Sequence, residues 1–271
     1  MAVFFLFLLA LAAGILSTLF WIPEQDLGRG YFQMNALIVL GLLGLAGAIL
    51  LLHPLRPFGE RPLGGGIGLA TASLAALLYW AAVWRERWRV ARASALVALA
   101  ASAAVLLAAG LELPGGEPVP GLAAAYGVAA LASSAALLGW ALVTMLLGHW
   151  YLVAPRLAFR HLVVFCWTLL GTVGLRCLTV AAALWGAWRL EGAGEPSAWT
   201  LLAGFQGQGM FLWFRLLWGL VIPLGLGLMS LHCARQRSNQ SATGILYVLV
   251  VGALIGEITA YYLTATTGVP V

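Results

Sequence analysis

Residues 205–262 contain two apolar runs separated by a short basic turn: FQGQGMFLWFRLLWGLVIPLGLGLMSLHCARQRSNQSATGILYVLVVGALIGEITAYY. Each run is long enough to cross the hydrocarbon core of a membrane as a helix. Each also holds one ionisable residue, Arg215 in the first run and Glu257 in the second. Both lie about 21 residues from the turn near Gln236, so the helical rise of about 1.5 Å per residue predicts similar depths. Ionisable residues inside spans are candidate functional groups, and these two are natural partners.

The composition is that of a membrane protein. Of the 271 residues, 63% are hydrophobic and 8% are charged, and the mean hydropathy is +0.99. Soluble domains contain about 25% charged residues, so these values exclude a soluble catalytic domain. The net charge of +5 comes from arginine, because the sequence contains no lysine. The arginines cluster at the ends of apolar runs, where they orient helices in a membrane, so we expect no nucleic-acid partner.

Apolar runs of spanning length recur along the whole chain. They predict an all-α fold: one integral membrane domain, built as a bundle of about eight transmembrane helices that contact the lipid bilayer. The predicted spans cover residues 2–22, 34–52, 66–84, 93–111, 121–147, 160–187, 200–231 and 243–264.

Arginine is concentrated in three loops that share one side of the predicted bundle. These loops include residues 84–92 (WRERWRVAR), 156–160 and 235–237. On the other side, residues 112–121 carry only acidic charges, Glu112 and Glu117, and the 6–7 loop sets one arginine against Glu191 and Glu195. Short arginine-rich loops stay in the cytoplasm, so this pattern predicts both termini in the periplasm.

The loop after the second predicted span argues the other way, because it contains Arg56 and Arg61. The three arginine-rich loops outnumber it. We therefore predict a multi-pass protein of the bacterial inner (cytoplasmic) membrane with both termini periplasmic.

The two halves of the chain differ in polarity. Residues 1–120, predicted helices 1–4, contain small-residue tracts and no ionisable residue inside a span. Such tracts favour close helix packing and predict a scaffold or docking half. Residues 121–271, predicted helices 5–8, contain every charge inside a span and are expected to be the functional half.

A third charged residue is expected beside Arg215 and Glu257. Arg176 lies about 21 residues beyond the turn near Pro155, which gives it the same offset from the arginine-rich side. One interpretation is a buried ionic bridge that ties helices together. The other starts from the surplus positive charge, which an anionic or electron-rich ligand would offset: a quinone carbonyl, a carboxylate or a lipid phosphate.

Four further residues are predicted to bind that ligand. Gln208 supplies a donor and an acceptor toward the outer end of its helix, and Tyr261 lies one turn beyond Glu257. Trp213 and Trp218 flank Arg215 and are expected to cover its guanidinium or to line an apolar pocket. Glu257 itself is the candidate proton carrier, although two neighbouring arginines favour its charged form.

His149 and His232 occur near the ends of two predicted helices. Neutral imidazoles on facing helices can act as the axial ligands of a b-type haem, which makes haem b a candidate cofactor. The alternative is that both are interfacial side chains bonded to loops or lipid headgroups.

Two function classes follow from these patterns. The first is a membrane subunit of a larger bacterial respiratory or electron-transfer complex, which anchors membrane or peripheral partner subunits and binds quinone at the Arg/Arg/Glu cluster. The alternative is a transporter of a small anionic or lipid-linked substrate. The pattern favours a non-catalytic or quinone-interacting subunit over a stand-alone enzyme, since no catalytic motif of a soluble enzyme class occurs.

Overall fold

All regular structure in the described part of the protein is helical. The computed structural model describes residues 1–21, 23–52, 62–111, 121–154, 157–189 and 198–271. Seven stretches of this part are long and apolar enough to cross a membrane, and an additional apolar helix at the start of the chain is shorter. The predicted all-α membrane bundle is confirmed.

Ten α-helices and one π-helix follow one another in the described chain. They are α1 (Ala2–Thr18), α2 (Glu24–Leu52), α3 (Pro62–Trp84), α4 (Trp88–Gly110), α5 (Leu122–Val153), α6 (Arg160–Arg189), α7 (Ala198–Ala203), α8 (Gln208–Leu216), the π-helix (Leu217–Val221), α9 (Ile222–Arg235) and α10 (Asn239–Thr267). The segment from α8 to α9 crosses as one continuous span.

Two predicted spans differ most from the helices of the structure. α2 begins at Glu24 rather than at residue 34, and it continues through a kink at Gly28. Its polar first turns are stable because their side chains pair with neighbouring loops, as described below. The seventh predicted span is not continuous from residue 200: α7 ends at Ala203, and α8 begins only at Gln208.

The first helix is the central helix of the bundle. Most side chains of α1 are buried, from Phe5 to Leu16, and the helix packs against α2, α4, α5 and α10. The backbones of α1 and α5 meet so closely at Gly14 and Gly139 that a methyl group on Gly14 would lie 2.0 Å from the carbonyl oxygen of Ala135. One apolar core contains side chains from both halves of the chain. Residues 1–120 therefore do not pack as a separate unit, and their role as a scaffold stays a prediction.

Side-chain contacts gather four helix connections on one face of the bundle, here called the arginine face. Arg92 pairs with Glu24, and Arg29 pairs with Glu86 at 3.4 Å, which joins the start of α2 to the α3–α4 turn. His161, at the start of α6, lies 3.0 Å from a carboxylate oxygen of Asp26.

The α9–α10 turn lies at the same face, because the guanidinium of Arg237 lies over the ring of Phe159 before α6. The start of α1 and the end of α10 lie at the opposite face, called the terminal face. There Phe7 of α1 contacts Tyr261 of α10 edge to face, with ring centroids 6.3 Å apart.

This arrangement agrees with the predicted topology, in which successive loops lie on alternate sides of the bundle. Assignment of the arginine face to the cytoplasm stays a prediction. Several residues used for the orientation lie outside the described residues: Arg56, Arg61, Glu112, Glu117, Arg156, Glu191 and Glu195.

Candidate functional site

Three helices bring Arg176, Arg215 and Glu257 together in the interior of the bundle. The side chains come from α6, α8 and α10, and their exposed fractions are 2%, 0% and 0%. Counting residues from the turns near Pro155 and Gln236 therefore predicted correctly that these three residues lie together. We refer to the three residues as the ionic cluster.

The carboxylate of Glu257 is the centre of the ionic cluster. Arg176 donates from Nε to both carboxylate oxygens, at 3.1 and 3.3 Å, and from Nη2 to Oε2 at 3.0 Å. Arg215 donates from Nη2 to Oε1 at 2.7 Å. Charge-assisted bonds of this kind are short and strong, so the carboxylate ties α6 and α8 to α10.

Arg176 uses all three of its nitrogen atoms. Besides its bonds to Glu257, Nη2 donates to the backbone oxygen of Val271 at 2.9 Å, and Nη1 donates to the hydroxyl of Ser133 at 3.5 Å. The hydroxyls of Ser133 and Thr179 lie 3.0 Å apart and extend the polar network between α5 and α6. The guanidinium of Arg176 is thus held by three partners, Glu257, Val271 and Ser133.

Among the described residues, Arg215 is held by a single partner, Glu257. In the part of the chain that the structure describes, its Nε and Nη1 atoms are buried and have no hydrogen-bond acceptor. Leaving buried donors unbonded costs about 1–3 kcal/mol for a neutral group and more for a charged one. These N–H groups are therefore the unused hydrogen-bonding capacity of the ionic cluster.

Two glycines make room for the Arg215 guanidinium. A methyl group at Gly219 would lie 2.1 Å from Nη1 of Arg215 and 2.9 Å from the Cα atom of Gly256. Because both residues lack a side chain, the π-helix and α10 approach each other closely, and Nη1 lies in the crease between them. No residue other than glycine fits at Gly219 without moving the guanidinium or α10.

The π-helix that follows Arg215 has a cause in the sequence. Pro223 lies at the start of α9, where its ring would clash with the carbonyl group of residue 219 in a regular α-helix and where it lacks an N–H to donate. The wider turn at Leu217–Val221 accommodates the proline without breaking the span. Single π-turns of this kind frequently occur at functional sites.

The cluster contains two guanidiniums and one carboxylate, which leaves one surplus positive charge among these side chains. A buried bridge that served only as a brace would be expected to balance its charges and satisfy its donors, because an uncompensated buried charge is costly. The unused donors belong to Arg215, whose guanidinium pairs with Glu257 as closely as that of Arg176 does. A simple brace does not explain these unused donors.

Tyr261 and Gln208 have separate hydrogen-bond partners. The hydroxyl of buried Tyr261 accepts a bond from Ser134 at 3.2 Å, one turn from Glu257 on the side of the terminal face. Gln208 accepts a bond from the hydroxyl of Thr266 at 2.8 Å, close to the ends of α8 and α10. Tyr261 thus borders the ionic cluster, whereas Gln208 lies nearer the terminal face.

The two tryptophans beside Arg215 in the sequence lie on the outside of the bundle. Trp213 is 47% exposed and stacks on Phe205, and Trp218 is 36% exposed and lies beside Phe214. Among the described residues, neither ring lies over the Arg215 guanidinium. The expected aromatic cover of Arg215 is therefore not part of this arrangement, because the helix turns both rings toward the lipid.

His149 and His232 are exposed at the arginine face. His149 has its Nδ1 atom 3.3 Å from the hydroxyl of Tyr247, and Nε2 of His232 lies 2.9 Å from the side-chain nitrogen of Gln236. Bis-histidine haem ligation needs two imidazoles that face each other inside a bundle, and these exposed side chains do not fit that requirement. Within the described residues, no group of three or more histidine, cysteine or acidic side chains could hold a metal ion.

Four members of the polar network were not predicted. Ser133, Ser134 and Thr179 lie on α5 and α6 at nearly the depth of Arg176, so the same counting from the turn near Pro155 could have found them. Val271 could not have been found in this way, because its contact depends on how the chain folds back after α10.

Comparison of the sequence with known proteins does not indicate a function, so the function is inferred from the geometry of the site. No protein-family model matches the sequence, and no curated protein is significantly similar to it. The ionic cluster is therefore interpreted from its own contacts, burial and charge.

Replacing Glu257 by glutamine is expected to destabilise the protein by about 3–5 kcal/mol, because two buried guanidiniums lose the carboxylate that they share. The measurement is the free energy of unfolding in mixed detergent micelles. Glu86→Gln is the matched control, since it removes an exposed partner of Arg29 and is expected to cost about 0–1 kcal/mol. Equal stabilities for the two variants would contradict the bracing role of Glu257.

Gly219→Ala is expected to destabilise the protein by about 1–3 kcal/mol, because the added methyl group forces Arg215 and α10 apart. Gly225→Ala, in α9, is the matched control, because a methyl group there meets no atom within 4 Å. Thermal unfolding of both variants in the same detergent tests the difference. A Gly219→Ala protein as stable as Gly225→Ala would show that the crease is not tightly packed.

Proposed function

We propose that this protein is a membrane-embedded subunit of a larger electron-transferring assembly in the bacterial inner membrane. In this proposal Arg215 binds an electron-rich oxygen of a ligand, and the ligand is a quinone. The observation that carries the proposal is the pair of unused, fully buried donor atoms on Arg215, Nε and Nη1.

A quinone suits these donors in charge and in position. Its carbonyl oxygens accept hydrogen bonds, and they gain negative charge when the ring is reduced. A guanidinium stabilises that charge well in a site from which water is excluded. The surplus positive charge of the cluster therefore favours the reduced ligand, and the depth of the cluster suits a molecule that is dissolved in the bilayer.

Glu257 and Arg176 have different roles in this proposal. Arg176 contacts Glu257 through three bonds, whereas Arg215 contacts it through one. A ligand oxygen that draws Arg215 away leaves the carboxylate with fewer donors and makes it a better proton acceptor. Glu257 then carries a proton to or from the ligand, and Arg176 keeps it in place.

The small amount of chain outside the helices supports a role as a subunit that works with partners. Most of the described residues lie in helices that span the bundle, and the connections between the helices are short. Electron transfer requires a redox centre, and the redox centre is assigned to a partner subunit. Binding of that partner is expected at the faces that α2, α3 and α4 expose.

The alternative function is transport of a small anion or a lipid-linked substrate. The observation that favours it is the break in the seventh span, where α7 ends at Ala203, α8 begins at Gln208 and the π-helix follows. Interrupted helices beside a buried charge are typical of transporters. Uptake of phosphate or carboxylate substrates into proteoliposomes distinguishes a transporter from a subunit, which is expected to show none.

The proposed function predicts saturable binding of ubiquinone-1 to the purified protein, measured by quenching of tryptophan fluorescence. Arg215→Gln is expected to weaken this binding at least about tenfold, because it removes the charge-assisted donors. Arg189→Gln is the matched control, since Arg189 is exposed and lies over Trp185 and Trp188. Absence of saturable binding, or equal affinities in the two variants, would refute quinone binding at Arg215.

A further inference from the structure

A second group of buried polar side chains lies in the first half of the chain, between α2 and α3. Tyr31 and Asn35 lie one turn apart on α2, and Tyr79 lies on α3, which packs along α2. The exposed fractions of Tyr31, Asn35 and Tyr79 are 2%, 0% and 3%. We refer to these three residues as the tyrosine cluster.

Each member of the tyrosine cluster has a polar atom without a hydrogen-bond partner among the described residues. These atoms are the hydroxyls of Tyr31 and Tyr79 and the side-chain oxygen of Asn35, and all of them are buried. The side-chain nitrogen of Asn35 is already used, because it donates to the backbone oxygen of Tyr31 at 2.9 Å. Burying a polar group without a partner costs stability, so this group of atoms requires an explanation.

The three atoms are near neighbours. The hydroxyl of Tyr31 interacts electrostatically with the side chain of Asn35 and with Tyr79. No direct hydrogen bond joins these groups in the described part of the chain, although they are close to one another. A gap of this kind between polar groups is commonly bridged by water.

Aromatic rings hold Tyr31 in this position. Its ring packs edge to face against Phe32 and against Trp150 of α5, with centroids 5.6 and 5.7 Å away. Phe32 packs in the same way against Trp88 of α4, at 5.5 Å. These contacts direct the hydroxyl of Tyr31 into the bundle rather than toward lipid or bulk solvent.

The tyrosine cluster lies close to the arginine face, where water is available. Tyr31 follows Arg29 by two residues, and Arg29 pairs with Glu86 at that face. Tyr79 comes five residues before Trp84, where α3 ends at the same face. At a helical rise of about 1.5 Å per residue, both backbones lie within about 10 Å of the arginine face.

We propose that the tyrosine cluster is a binding site for a water molecule, which bridges the hydroxyls of Tyr31 and Tyr79 and the side-chain oxygen of Asn35. A buried water makes about three hydrogen bonds to groups that have no other partner, which matches this set. Water donates to the oxygen of Asn35, which only accepts, and exchanges bonds with the two hydroxyls. The site goes beyond the proposed function and requires no ligand at the ionic cluster.

Removal of single hydroxyls tests the water bridge by the sign of the effect. Tyr31→Phe and Tyr79→Phe each keep the ring and remove one hydroxyl. Each variant leaves the bridging water with fewer partners, so the midpoint temperature of thermal unfolding is expected to fall by about 2–4 °C. Without a bound water, each substitution would remove a buried hydroxyl that has no partner, and the midpoint would rise. An unchanged or higher midpoint in either variant would overturn the site.

Tyr262→Phe is the matched control for these substitutions. Tyr262 is exposed, and its ring packs against Phe211, a contact that phenylalanine keeps. The midpoint temperature of this variant is expected to stay unchanged. A fall equal to that of the other two variants would show that the loss does not come from the tyrosine cluster, and would overturn the site.

Oxidation by hydroxyl radicals distinguishes a bound water from direct bonds between the side chains. X-ray irradiation generates these radicals from water, so a buried side chain beside a bound water is oxidised where bulk solvent does not reach. Tyr31 and Tyr79 are expected to be oxidised several times faster than Tyr151. Tyr151 is as buried as Tyr31, but its hydroxyl donates to the carbonyl oxygen of Ala158 at 2.6 Å. Equally slow oxidation of all three tyrosines, measured by mass spectrometry of peptides, would overturn the water site whatever the unfolding midpoints.

Discussion

One carboxylate bonded to two guanidiniums determines how the second half of this bundle is arranged. In lipid, apolar side chains gain little by contacting one another instead of hydrocarbon, so polar contacts have an unusually large share in fixing the positions of the helices. Glu257 accepts bonds from Arg176 and Arg215 and thereby sets the relative heights of α6, α8 and α10. A shift of one turn in any of these helices would separate charges that are buried away from water.

The irregular seventh span follows from the same constraint. Arg215 must reach Glu257 from a helix that also contains Pro223, and the π-helix lies between them. Gly219 and Gly256 then allow the guanidinium to lie between two backbones. The result is a residue whose donors are only partly used by the described part of the chain. Local departures from regular structure of this kind are expected at functional sites more often than in a purely structural core.

The sequence was sufficient to predict how deep in the bundle each charged residue lies, but not the direction in which side chains point from the helix. Counting from the turns placed Arg176, Arg215 and Glu257 at one depth, and the extra residue of a π-turn changes such a count by only about 1.5 Å. Direction depends on rotation about each helix axis, which the packing decides. For that reason the sequence misplaced Trp213 and Trp218 around the cluster, although both lie next to Arg215 along the chain.

Two other features depend on tertiary packing and had no signal in the sequence. The first apolar run resembles any peripheral span, yet its small residues allow it to pack in the centre against α5. The contact of Val271 with Arg176 depends on a single left-handed residue, Gly268, after a long helix. Composition and periodicity describe each helix alone, so they cannot predict which helix becomes central or where a short segment returns.

Native mass spectrometry of the protein, extracted from its own membrane in mild detergent, tests most directly whether the ionic cluster is a ligand site. The protein should retain a bound quinone, and the bound mass should be kept by Arg189→Gln and lost from Arg215→Gln. A protein that carries no quinone, or one that keeps it equally in both variants, would show that the ionic cluster does not bind quinone through Arg215.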